Sequence, residues 1–352
     1  LTGGSDRPPP LGAVPLPVCL GSLAVILAGA LVLAAGIGAV DVPVSVTWQI
    51  VTDHLLGRST AAVGPVRDQI IWSFRIPRAL MAALCGAGLS VCGAILQALA
   101  NNPLADSYML GISSGASFGA VLVIGYGSAA AGGLGASTAA FAGAVLAMVL
   151  VFTLGQRGGR IGPARLVLSE VAVAYMFLAL TSYVQIHSSP ENLAAMTFWL
   201  LGSVAGATWG DLHLAGPVIA IMLIALSLPG RHLNALVSGE ETAIALGVNV
   251  RRLRFLLLAG TSLTTGVLVA EAGGVGFVGL LIPHLVRLTF GIDHRRLLPL
   301  SAFVGAIYLV LVDLLSRFID RPNEMPLGIF TAAVGAPFLV WLMRRSRTTT
   351  FT

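Results

Sequence analysis

The sequence has no lysine; all 20 of its basic residues are arginine. A Walker A loop needs its lysine on the phosphates, so this chain carries no standard P-loop. If ATP drives its work, a separate subunit hydrolyses it. Charge is scarce too: 10% of the 352 residues are charged, against about 25% in a soluble domain. With 56% hydrophobic residues and a mean hydropathy of +0.91, the composition is that of an all-α polytopic membrane protein. Cysteine is nearly absent. Cys19, Cys85 and Cys92 each fall inside an apolar run. On a helix, Cys85 and Cys92 lie about 10 Å apart along the axis, too far for a disulfide. They read as small buried hydrophobes. No Cys/His cluster has metal-ligand spacing. The net charge of +5 sits in arginines between apolar runs, which points to membrane topology rather than nucleic-acid binding.

The apolar runs set the organisation. Residues 1–16 are rich in proline and glycine and are expected to be a disordered cytoplasmic tail. No segment reads as a cleaved signal peptide. The first span is 17–40, long enough for a bilayer of about 30 Å. A mixed loop, 41–66, carries Trp48 and His54. The second span is 76–99, ended by Asn101, Asn102 and Pro103. Residues 106–157 hold two spans with a turn at 125–138, then a basic loop at 156–165. The fifth span is 166–187. Residues 191–205 are apolar but too short to cross and suit a surface or re-entrant helix. The remaining spans are 211–229, 253–271, a short one at 275–290, 297–318 and 326–343. That makes ten within a membrane domain of 17–347, with a tail at 348–352. With both termini in the cytoplasm, six arginines face outward: Arg58, Arg67, Arg75, Arg78, Arg317 and Arg321. The other fourteen lie inside, as the positive-inside rule requires.

A charged island at 238–254 stands out from this background, within a cytoplasmic loop of 230–252. Glu240 and Glu241 open it, Arg251, Arg252 and Arg254 close it, and Ala243, Ile244, Leu246 and Val248 form an apolar stripe. Acids in front and arginines behind match a helix macrodipole. The stretch predicts a short amphipathic helix outside the bilayer, ended near Gly247.

Several motifs have plain readings. Gly111-x-Ser113-x-Gly115 matches a nucleophile elbow, but it opens a membrane span with no strand before it and no acid or histidine nearby. With Gly119 it gives small-residue spacing for close helix packing. Gly274-x-Gly276-x-x-Gly279 matches a dinucleotide fingerprint without the βαβ context, and suits a tight bend. Glu170, Glu271 and Asp313 lie in or beside spans. As proton relays they would make a secondary transporter; Asp313 and Glu271 read better as structural pairs or caps, Arg317 being within reach. Arg75 and Arg78, three apart on one helix face, would anchor lipid headgroups or receive an acidic partner.

A set of blocks in order carries a family resemblance. They include Arg75-Ile-Pro-Arg78, residues 97–106, residues 110–116 and Trp199-Leu-Leu-Gly-Ser203. Further on come Ala245-Leu246-Gly247-Val248, residues 276–284, residues 293–299, Glu324-Met-Pro-Leu-Gly328 and Gly335-Ala-Pro-Phe338. Together they resemble the permease subunits of the iron-siderophore, haem and cobalamin ABC importers. The resemblance implies a bundle like that of the vitamin B12 importer permease, with ten helices, in the bacterial cytoplasmic membrane. It implies a second permease, identical or homologous, two ATP-binding cassette subunits that hold ATP and Mg, and an extracytoplasmic substrate-binding protein. This chain would hold no cofactor and do no covalent chemistry. Arg75, Arg78 and Arg321 would dock the binding protein. Glu240, Glu241, Ala245, Leu246, Gly247 and Arg251 would couple to the ATPase. Met109, Ser113, Ser114, Ser169 and Glu170 would line the gate and path. Glu170 departs from the family, which has small residues there; it would alter gating or meet Arg165 one turn earlier. The expected cargo is a ferric siderophore, with haem or cobalamin as the alternative.

Overall fold

The computed structural model describes residues 14–38, 42–59, 63–106, 111–157, 160–161, 163–320 and 323–346. The expected tails at 1–16 and 348–352 lie almost wholly outside these. The described chain is helical: α1 (Leu16–Gly36), α2 (Val44–Leu55), α3 (Pro65–Asp68), a π-helical segment (Gln69–Arg75), α4 (Ile76–Ala100), α5 (Ile112–Tyr126), α6 (Ala136–Gly155), α7 (Pro163–Ile186), α8 (Pro190–Leu200) and α9 (Trp209–Ser227). Then follow α10 (Gly230–Val237), α11 (Glu240–Ala245), α12 (Val250–Ala272), α13 (Val278–Phe290), α14 (His294–Phe318) and α15 (Leu327–Ser346). A two-residue antiparallel pairing, Gln156–Arg157 with Arg160–Ile161, closes the α6–α7 turn.

Eight helical stretches are long and apolar enough to cross a membrane; α5 and α13 are apolar but have only 15 and 13 residues. These ten coincide with the ten expected spans. The short helix expected at 191–205 is α8, started by Ser189, whose hydroxyl accepts the Asn192 N–H. Lipid offers no hydrophobic drive between helices, so close backbone approach matters more than bulk. The central helix, α4, is buried along most of its length, and its small residues permit that approach. Gly86 packs on the Gly305 carbonyl of α14, and Gly93 on the Gly279 carbonyl at the start of α13. The Gly111–Gly119 motif does the same for α5: Gly115 meets the Gly143 carbonyl of α6 and Gly119 meets that of Ala139.

Non-helical backbone inside such a bundle must be covered and bonded. Residues 200–204, 272–277 and 325–328 meet this demand together. Ser203 N–H donates to Ala272 O at 2.9 Å, Leu327 N–H to Gly202 O at 2.8 Å and Gly328 N–H to Leu201 O at 2.9 Å. Gly202 and Gly273 take left-handed angles there (φ +81° and +65°), and Gly274 lies against the Leu200 carbonyl. The glycines of 274–279 thus make a bend, as their setting in the sequence predicts.

Three expectations change. The loop at 41–66 contains α2, whose one buried face rests on Thr47 and Ile50. The second span begins earlier, since α3, the π segment and α4 form one continuous helical stretch from Pro65 to Ala100. The charged island is not one helix. It is α11, stopped by Gly247 (φ +79°), followed by a new start at Asn249, whose side chain accepts the Arg252 N–H at 3.0 Å. Arg251, Arg252 and Arg254 therefore open α12 instead of closing α11. Asn249 is a strong N-cap, and that signal outranks charge order.

Candidate functional site

The two ends of the bundle carry the polar chemistry. At one end, α10 and α11 stand between α9 and α12. Leu233 and Leu236 of α10 and Ala243 of α11 are buried, which fixes both short helices to the bundle. The opposite face is open: Ile244 is 59% exposed, Leu246 69% and Val237 44%. Glu240, Glu241, Ala245, Gly247 and Arg251 are exposed as well. Glu240 is joined to Arg254 at 3.0 Å across the α11–α12 turn, and both side chains are solvent-accessible. The expected coupling residues are thus brought together as one small apolar knob with a charged rim.

The expected gate residues gather at the same end. Ser113 and Ser114 lie half-buried in the first turn of α5. Beside them on α7, the buried Ser169 hydroxyl donates to the Arg165 carbonyl at 2.6 Å. The Glu170 carboxylate lies near the backbone N–H of Gly111, the residue before α5. That contact sets a carboxylate at a helix N-terminus, where the macrodipole favours it. No Glu170–Arg165 ion pair forms among the described residues. Met109 lies outside the described residues.

The other end holds a buried charge network. Arg78 of α4 donates through Nε to Asp313 of α14 at 2.8 Å, and through Nη1 to both carboxylate oxygens of Glu324 at 2.8 Å. Asp313 also pairs with Arg317 one turn on, at 2.9 Å. Asp313 is fully buried, Arg78 is 7% exposed and Arg317 6%. Two guanidiniums then reach the C-terminal carbonyls of α1. Arg75 donates to Ala35 O and Gly36 O at 3.0 and 2.7 Å, and Arg317 to Ala34 O at 3.0 Å. Cations suit these unsatisfied carbonyls.

Of the expected docking residues, Arg75 and Arg78 are buried and bonded within the chain. Burying an unpaired guanidinium at a helix start would be costly, so α14, the loop before α15 and the end of α1 supply acceptors. Arg321 lies outside the described residues. The Asp313–Arg317 pair is as expected. Glu271 is different, with no ion pair among the described residues. Arg78's partners stand 235 and 246 positions away, so no local pattern could reveal them. On α10, Asn234 accepts the His294 N–H at 2.9 Å and donates to Asp293 at 2.7 Å, partners 60 and 59 positions away that no local pattern reveals.

The model of the FecCD transport family matches residues 25–345. The chain belongs to the FecCD transport family. It is 40% identical over 297 residues to the cobalamin import system permease protein BtuC of Halobacterium salinarum, covering 84% of this chain and 79% of that one. To the iron(3+)-hydroxamate import system permease protein FhuG of Bacillus subtilis it is 35% identical, covering 80% and 86%. To the hemin transport system permease protein HmuU of Yersinia pestis it is also 35% identical, covering 96% and 98%. A solved structure of a proposed metal-chelate type ABC transporter, in an inward-facing conformation, superposes with a TM-score of 0.79 at 32% identity over 94% of this chain and 99% of that one. This FecCD chain is accordingly the permease subunit of an ABC importer and a multi-pass membrane protein. It is a transport subunit whose ATPase is a separate partner. The proton-relay reading falls with the membership.

Proposed function

We propose that this permease moves a ferric siderophore into the cytoplasm by alternating access. ATP hydrolysis in partner subunits would be delivered at the α10–α11 knob, which places that end and both termini on the cytoplasmic side of a bacterial membrane. The observation that carries the coupling assignment is the exposed apolar face of Ile244 and Leu246, held on a rigid base and rimmed by charge. An exposed apolar patch rimmed by charge, on a short helix outside the spans, suits a protein contact. The absence of lysine supports the need for a partner, because this chain has no P-loop of its own.

The opposite end then faces the extracytoplasmic binding protein. Arg321 is the docking residue proposed there. Arg75 and Arg78 support that surface from beneath: Arg78 fixes Glu324, three residues beyond Arg321, and so holds the loop in place. A second copy or a homologous permease completes the channel, with Ser113, Ser114, Met109, Ser169 and Glu170 at its cytoplasmic mouth. In this chain Glu170 steadies the start of α5.

Cobalamin is the second reading, favoured by the 40% identity to a permease named for it. The test is uptake into proteoliposomes holding the permease, its ATPase subunits and the binding protein. Ferric-55 ferrichrome, cobalt-57 cyanocobalamin and hemin are offered in turn, with ATP or with a hydrolysis-dead ATPase. ATP-dependent uptake of ferrichrome alone supports the siderophore reading. Uptake of cyanocobalamin alone replaces it, and uptake without the ATPase overturns the importer reading.

A further inference from the structure

Asn234 occupies the point where α10 meets the first turn of α14, and both ends of its amide are used. Its Oδ1 accepts the backbone N–H of His294 at 2.9 Å and lies 2.8 Å from Nδ1 of the same residue. Its Nδ2 donates to Oδ1 of Asp293 at 2.7 Å. Asp293 is the N-cap of α14, accepting the Arg295 N–H at 2.9 Å through the same oxygen. The His294 ring is buried. A second observation on the same face of α10 points the same way. A Cβ on Gly230 would come within 3.1 Å of Arg295 N and 3.2 Å of Arg295 Cα, so the two backbones touch there. Leu233, between them, is fully buried.

We propose that Asn234 is a positioning residue for transport, clamping the α10–α11 unit to α14 so that displacement of the knob moves α14 as one body. The inference rests on reading α10–α11 as the ATPase-facing unit. The amide suits this role because it offers one donor and one acceptor on a rigid plane. Aspartate would oppose the Asp293 carboxylate, and leucine would leave the His294 donors without their acceptor. The path beyond the clamp is physical. Along α14, the Asp313–Arg317 pair, which binds α4 and the end of α1, lies about 28–35 Å from His294. A push received at Asn234 therefore reaches the far charge network through one helix.

The test uses the full permease–ATPase complex in nanodiscs, with Asn234→Asp, Asn234→Leu, Asp293→Asn and the exchanged pair Asn234→Asp/Asp293→Asn. The exchanged pair restores donor and acceptor in opposite positions. Two quantities are read: ATP hydrolysis, and the ATP-induced change in amide hydrogen exchange at residues 313–320. We expect Asn234→Asp and Asn234→Leu to keep hydrolysing ATP while the far-end response falls about tenfold. The exchanged pair recovers most of the response. A full response in both single Asn234 variants overturns the clamp, as does an exchanged pair that folds and hydrolyses ATP without recovery. If the wild-type permease captures no ATPase subunit, the reading of α10–α11 itself is overturned, and the clamp's role in coupling goes with it.

Discussion

The two ends of this permease use the same residue types in opposite ways. At the α1–α4–α14 end, Arg75, Arg78, Asp313 and Arg317 are buried and bonded to one another or to backbone. At the α10–α11 end, Glu240 and Arg254 pair in solvent. Desolvation decides what each arrangement is for. A buried charge that loses its partner is left stranded in low dielectric, so the first network fixes structure. An exposed pair contributes little to stability and is free to serve a surface that another protein reads. One end should thus fail by unfolding, the other by losing its partner while staying folded.

The largest effect is expected from Asp313→Asn. It leaves Arg78 and Arg317 short of a counter-charge, and about 3–5 kcal/mol of stability should go; thermal unfolding in detergent would measure it. A small shift would mean that water reaches this network, and the contrast would collapse. Next comes Leu246→Asp. Its melting temperature should stay close to wild type, because the side chain touches little, while ATPase capture weakens by about 2 kcal/mol, roughly 30-fold. Co-purification with the ATPase subunit separates the two outcomes. Glu324→Gln should be milder than Asp313→Asn, about 1 kcal/mol or less, since Glu324 is partly solvated and Arg78 keeps Asp313. The difference between the two variants measures how steeply burial changes across one guanidinium. Smallest of all is Glu240→Gln, worth about 0.3 kcal/mol at low salt and nothing measurable at 1 M salt. A salt-independent effect would show that this pair is less exposed than its geometry says.

The transmembrane plan was readable because length and apolarity define eight of the spans, and apolar runs between polar breaks mark the short α5 and α13. Ends and partners were harder. The residues of α2 include Thr47, Gln49, Asp53 and His54, so they read as loop; only the tertiary face on Thr47 and Ile50 makes them a helix. The π segment has no compositional mark. At 238–254 Gly247 marks the stop, but the acid-to-arginine order masks the cap at Asn249, so three arginines read as closing α11 when they open α12. Arg75 and Arg78 stood out as exceptions to the positive-inside rule, and that signal was real. Its cause was hidden, because their acceptors are the end of α1, Asp313 and Glu324, remote in sequence. Glu170 was recognisable as an oddity, yet the Gly111 N–H near it lies 59 positions earlier, across two turns of the chain.

The lengths of α5 and α13 also bear on how the chain enters the bilayer during synthesis. At 15 and 13 residues they reach about 22 and 20 Å, short of a hydrocarbon core of about 30 Å. Such a shortfall is met by local bilayer thinning or by a protein neighbour, and each of the two has a close neighbour in the bundle. For α13 that neighbour, α4, is already in place when it emerges, offering Gly93 for Gly279 to dock against. For α5 the neighbour is α6, which follows it, so Gly115 and Gly119 wait for Gly143 and Ala139 to be translated. The amino-terminal short helix thus leans on the helix that follows it and the later one on a helix made before it, two arrangements for the same kind of shortened crossing.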